Sequence, residues 1–117
     1  MSRGAPGTVE RTVTAKIPDY FMSISDFAVY VDTTQGPVSI TLPSASNAGK
    51  MVFIQKIDGS DNVVAVKCLG DDRINRVDSL RATRGLDGWM LVADGEKTWL
   101  VISKSTGSPF RGDGQQP

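Results

Sequence analysis

Apolar and polar residues alternate over much of this chain, the period-two pattern of a strand with one face in a core. Val38-Ser39-Ile40-Thr41-Leu42 shows it most cleanly, with Val38, Ile40 and Leu42 on one side and Ser39 and Thr41 on the other. Val9 to Ile17 alternates more loosely and predicts a strand that Pro18-Asp19 breaks. Phe27 to Asp32 is rich in β-branched and aromatic residues and predicts another. Met51 to Ile57 starts with apolar residues at consecutive positions, which predicts a strand buried on both faces at its start.

Turn-forming residues separate these runs. Asp58-Gly59-Ser60-Asp61 lies between Met51–Ile57 and Asn62–Leu69, and predicts a first hairpin. Asp94-Gly95-Glu96-Lys97 lies between Trp89–Ala93 and Thr98–Ser103, and predicts a second. Ser44 to Lys50 has room for one helical turn closed by Gly49. Within 73–88, Ile74, Val77 and Leu80 fit a helical face or two short strands. Flanking turn residues and the lack of a helix cap favour strands. The pattern predicts an all-β fold, an antiparallel β-sandwich or a barrel-like β-roll. The division is an N-terminal arm over 1–8, a β domain over 9–104 and a C-terminal arm over 105–117, both arms rich in Gly and Pro.

Composition narrows the chemistry. The 117 residues carry 13 Lys plus Arg and 13 Asp plus Glu, so no net charge draws the chain to nucleic acid. There is no histidine, which removes the commonest general base and metal ligand. The single cysteine, Cys68, excludes an internal disulfide and reads as a buried, inert thiol. No apolar stretch approaches a membrane span, and the start at Met1 lacks the apolar core of a signal peptide. The expectation is a protein made and assembled in a cytoplasm, with neither nucleic acid nor membrane as partner and no cofactor or metal.

Several residues are candidates for chemistry. Asp58 with Asp61, and Asp71 with Asp72, are paired carboxylates. All four sit in predicted turns, where Asp accepts hydrogen bonds from nearby backbone amides. Arg73, Arg76, Arg81 and Arg84 form a basic cluster, but Asp71, Asp72, Asp78 and Asp87 interleave with it and point to a salt-bridged surface. Trp89 and Trp99, on facing strands of the second hairpin, read as a cross-strand core pair or, if exposed, as a glycan platform. Arg111-Gly112-Asp113 matches an adhesion tripeptide by chance in a Gly-rich tail. An enzyme such as a depolymerase is the weakest reading, because the acids are turn-placed.

One combination goes beyond strand grammar. A Gly-Pro-led strand ends in Leu42-Pro43, and a small-residue turn follows over Ser44 to Gly49. A strand then leads into Lys56-x-Asp58-Gly59, and the order closes on Asp94-Gly95-x-x-x-Trp99. From Asp32 to Ser103 this order resembles the β-rich modules of bacteriophage virion proteins, among them head-decoration, tail-fibre and minor structural proteins. Arg73-Ile74-Asn75-Arg76 replaces the module's usual Ile-Asp-Gly turn. The resemblance implies a non-enzymatic virion structural protein. Its first form is a capsid decoration (cement) protein on the capsid surface, a homotrimer bound to the major capsid protein and bridging capsomers. The alternative is a tail or fibre component that binds a host receptor; without a shaft or heptad segment, the chain is a poor stand-alone fibre. Arg3, Pro6, Arg73, Arg76, Arg81, Arg84, Phe110 and Arg111 are the expected partner contacts.

Overall fold

A computed structural model describes residues 11–75, 79–83 and 87–105, and every regular element in them is a strand. The strands are β1 (Arg11–Ala15), β2 (Asp19–Phe21), β3 (Asp26–Val31), β4 (Val38–Thr41) and β5 (Met51–Lys56). They continue as β6 (Val64–Lys67), β7 (Arg73–Ile74), β8 (Ser79–Ala82), β9 (Gly88–Ala93) and β10 (Thr98–Ser105). The all-β expectation therefore holds. So does the choice of short strands over a helix around Ile74 and Leu80. Ser44 to Lys50 forms turns. Residues 1–8 and 106–117 lie outside the described residues, and Ser105 ends β10.

Two sheets share one core. One is six-stranded, in the order β1-β3-β5-β9-β10-β7, and the other is four-stranded, β2-β4-β6-β8. From β1 to β9 each strand lies in the sheet opposite its predecessor. Consecutive strands cannot then pair, and each early strand pairs with the one two places before it, in parallel. This corrects the antiparallel expectation: five of the eight pairings among the described residues are parallel.

It also corrects the first predicted hairpin. β5 and β6 both form, but β5 pairs with β3 and β9, and β6 pairs with β4 and β8. Asp58 accepts hydrogen bonds from Thr33, just past the end of neighbouring β3, so the β3–β4 and β5–β6 connections leave the six-stranded sheet side by side and cross to the second sheet. The second hairpin holds, with β9 and β10 antiparallel and a bulge between Val101 and Ser103. At its turn Gly95 adopts φ +93, and Asp94 accepts from the amides of Glu96 and Thr98.

Register stacks like residues into rows. In the six-stranded sheet Val13, Val29, Ile54 and Trp89 align, as do Val52, Leu91 and Val101. In the four-stranded sheet the rows are Tyr20, Ile40, Val66 and Leu80, then Val38, Val64 and Ala82. All of these join one hydrophobic cluster between the sheets. Full burial of each aliphatic side chain contributes about 1.5–3 kcal/mol.

The outward faces differ. On the four-stranded sheet the outward rows are Asp19, Ser39, Ala65 and Arg81, then Phe21, Thr41 and Lys67. On the six-stranded sheet they are Thr12, Ala28, Phe53, Met90 and Ser103, then Met51, Val92 and Leu100, then Thr14, Tyr30, Gln55, Gly88 and Ser105, with Thr98 and Arg73 outward at the far edge. The expectation that β5 is buried on both faces at its start is met on one face: Val52 and Ile54 are fully buried, while Met51 and Phe53 on the other are half-buried.

Candidate functional site

Among the described residues, Thr33, Lys56 and Asp26 are buried polar groups that centre two clusters, both built by loops that cross between sheets. The first is centred on Lys56. This residue continues the inward row Ala15–Val31, so its stem is fully buried. A buried ammonium carries a penalty of several kcal/mol unless its three protons find acceptors. Here Nζ donates to the Asp58 carbonyl at 3.1 Å, the Asp58 carboxylate at 3.0 Å and the Ser60 carbonyl at 2.7 Å.

Asp58 is satisfied in turn. It accepts from the Thr33 amide at 2.7 Å, the Thr33 hydroxyl at 2.9 Å, the Ser60 amide at 3.0 Å and the Ser60 hydroxyl. Asn62 Nδ2 closes the cluster on the Thr33 carbonyl at 2.6 Å. Burial alone pushes the Asp58 carboxyl up. The bonds from the Ser60 hydroxyl, the Thr33 amide, the Lys56 ammonium and the Ser60 amide outweigh burial and hold it well below the usual carboxylate range.

The second cluster sits at the sheet edge where β1 and β2 enter. Asp26, fully buried, accepts from the Arg11 guanidinium, the Tyr20 hydroxyl at 2.6 Å and the Ser23 amide at 3.0 Å. Burial pushes the Asp26 carboxyl up, and the Tyr20, Arg11 and Ser23 bonds bring it below its ordinary value. Tyr20 is raised by burial and by its bond to Asp26. Arg11 itself is 55% exposed.

The other singled-out residues fall as follows. Asp72 accepts from the Ala45 amide at 2.9 Å, a bond to a distant turn rather than to its own. Asp71 lies 3.8 Å from Lys97 on the surface, and Asp61 is exposed. No group of three His, Cys, Asp or Glu arranged to hold a metal occurs among the described residues. Cys68 is half-buried against the core rather than fully buried.

Both tryptophans are in the core, at 3% and 0% exposure, which removes them as a glycan platform. They are not a register pair, since Trp99 faces Ala93 and Trp89 faces Lys104. Trp99 Nε1 instead donates to the Pro43 carbonyl at 3.0 Å, tying β10 to the end of β4. Of the expected partner contacts, Arg73 and Arg81 are exposed at strands β7 and β8 of different sheets. Arg3, Pro6, Arg76, Arg84, Phe110 and Arg111 lie outside the described residues, as does the Arg111-Gly112-Asp113 tripeptide.

Depressions are found at two places among the described residues. A groove of about 690 Å³ is lined by Ile74, Leu80, Trp89, Leu100, Val101 and Lys104, where two-residue β7 stops short of β10. A smaller one, about 350 Å³, lies at Lys16, Pro18 and Gly36. Neither brings together a nucleophile, a base and an oxyanion donor among the described residues. Sequence reasoning missed the Lys56 cluster: the lysine was read only as part of a motif. The signal was its place in the strand, two positions after Ile54, on the inward phase.

No family model matches this chain, and no curated protein matches it either.

Proposed function

We propose that the chain is a bacteriophage virion structural protein, a capsid decoration or cement protein that stabilises the head by bridging capsomers. In this reading the two sheets form a β-sandwich that presents surfaces to copies of itself and to the major capsid protein. One observation supports it: the residues carrying the resemblance are pins of the fold. Pro43 and Trp99 bond to each other, Lys56 and Asp58 form the buried pair, and Asp94 caps the closing turn. Residues so widely spaced in the sequence meet to pin one scaffold. The working parts in this reading are the rest of the scaffold, namely its faces, its edges and its arms. Among the described residues, β1, β7, β2 and β8 each end a sheet, the edges at which added strands would pair.

The test is location and copy number in the phage particle. Hundreds of copies on the head, with heat or low-salt stability lost in particles lacking the protein, is the expected result. A few copies at the tail, with purified protein blocking adsorption, would replace this reading with the receptor-binding one. Absence from particles would end both.

A further inference from the structure

Residues 11–21 carry β1 in one sheet and β2 in the other, and among the described residues each strand ends its sheet. Within this segment Ala15 is the only buried residue, with Val13 and Tyr20 half-buried. Neighbouring β3, by contrast, buries Asp26, Ala28, Val29 and Val31. Apolar burial therefore holds the segment weakly, and backbone ladders and polar ties carry more of the load.

One carboxylate ties both strands to the body of the fold. Asp26 Oδ1 accepts from Arg11 of β1, and Oδ2 accepts from Tyr20 of β2 at 2.6 Å. At the other end of the segment the packing opens. The depression of about 350 Å³ parts Lys16 and Pro18, in the β1–β2 connection, from Gln35, Gly36 and Pro37, in the β3–β4 connection. Backbone bonds cross beside it, from the Asp32 amide to the Ala15 carbonyl and from the Ser39 amide to the Pro18 carbonyl. The two strands also cannot part separately. Ala15 ends β1 and Asp19 starts β2, four Cα steps apart. Four steps span at most about 14 Å when extended, and packed sheets lie about 10 Å apart. With so little slack, a strand that leaves its sheet takes the other with it.

We propose that β1 and β2 form one latched unit, which opens and closes on the body of the fold about Met22 to Ser25, with Asp26 as the latch. Opening hydrates the buried carboxylate, which offsets part of what its bonds contribute, so the unit opens before the body unfolds. It bares the edges of β3 and β4 together, the strands that the unit covers. An edge bared in both sheets at once is a template for a second pair of strands. The latch does not depend on the virion role.

Amide hydrogen exchange of the full chain, resolved residue by residue by NMR, tests this. Asp32 and Ser39 report the two seams of the unit. Ile57 and Leu42, bonded to the Val31 and Lys67 carbonyls, report the next seam inward in each sheet. After correction for intrinsic rates, Asp32 and Ser39 are expected within about 3-fold of each other and at least ~10-fold faster than Ile57 and Leu42. Arg11→Gln, on β1, is expected to speed Ser39 by at least ~3-fold, and Tyr20→Phe, on β2, to speed Asp32 as much, with Ile57 and Leu42 unchanged. Should a variant fail to fold, the wild-type rates decide. Protection of Asp32 and Ser39 equal to that of Ile57 and Leu42 overturns the proposal. Unequal rates at Asp32 and Ser39, or a substitution that speeds only the seam of its own strand, overturn it as well.

Discussion

The outward row Ala28–Phe53–Met90 and the outward row Asp19–Ser39–Ala65–Arg81 occupy matching places on the two sheets, and they have opposite character. The inward rows do not differ in this way: both are apolar, fully buried along most of their length and half-buried at Val13, Val101, Tyr20 and Leu80. Burial between the sheets therefore dictates the inner rows, whichever sheet they come from. Only the surroundings of each sheet dictate the outer rows. The outward residues of the four-stranded sheet are mostly polar, Phe21 excepted, and those of the central strands of the six-stranded sheet are mostly apolar. The exception inside the core sharpens the point, because the inward phase of the six-stranded sheet ends in a lysine.

Lys56 and Lys67 end β5 and β6, yet the first is fully buried and the second exposed. The largest expected effect separates them. Lys56→Met keeps most of the volume and strands the Asp58 carboxylate without its cation, which costs about 3–5 kcal/mol. Lys67→Met should stay within about 0.5 kcal/mol. Urea unfolding of both variants checks the difference. Adding Asp58→Asn to Lys56→Met should recover part of the loss, because the unpaired charge is gone. If both single variants lose equally, the cluster is not the pin we describe.

The inner rows were legible in the sequence because a period of two needs no partner to be seen. Val38, Ile40 and Leu42 could be placed on a core face from spacing alone. Which strand pairs with which was not legible, because pairing is set by where a loop turns. Asp58-Gly59-Ser60-Asp61 has hairpin grammar, and only the bonds from Thr33, 25 residues earlier, show that it crosses between sheets. The Arg73-Ile74-Asn75 stretch was likewise ambiguous. Asn75, at φ 50, resolves it by donating its amide to Trp99 and accepting Val101's amide on its side chain, which extends the β7–β10 ladder. The outward apolar rows were visible only at Met51 and Phe53, since the register with Met90 and Val92 is a tertiary fact.

A medium effect tests the tight seam between β5 and β9. A Cβ on Gly88 would lie 2.5 Å from the Ile54 carbonyl oxygen and 3.0 Å from the Gln55 Cα, both backbone atoms of the neighbouring strand. Neither can yield without parting β5 from β9, so Gly88→Ala should cost about 1–3 kcal/mol by thermal unfolding. Gly59, in the β5–β6 connection, has nothing within 4 Å of its would-be Cβ and no left-handed φ. Gly59→Ala should be neutral or gain up to about 1 kcal/mol. Equal behaviour of the two variants would mean that the β5–β9 contact is looser than described.

The smallest expected effect compares the two acid clusters through pH and salt. Asp58 and Asp26 are both held below their unfolded value of about 3.9, so the native state binds fewer protons than the unfolded chain in acid. Their contribution is complete above about pH 4 and is lost as pH falls through the native values, so acid should unfold the protein from about pH 4 downward. Salt should tell them apart. Arg11 is 55% exposed and its attraction for Asp26 is screened, whereas Lys56 and Asp58 are shielded at 0% and 8% exposure. In Arg11→Gln the remaining acid transition should shift little between low and high salt. In Asp58→Asn the steepness should drop and the salt shift of the wild type should persist. Acid titrations followed by tryptophan fluorescence, with Trp89 and Trp99 both in the core, read this directly. A salt shift that disappears in Asp58→Asn but remains in Arg11→Gln would reverse the assignment of which carboxylate the solvent can reach.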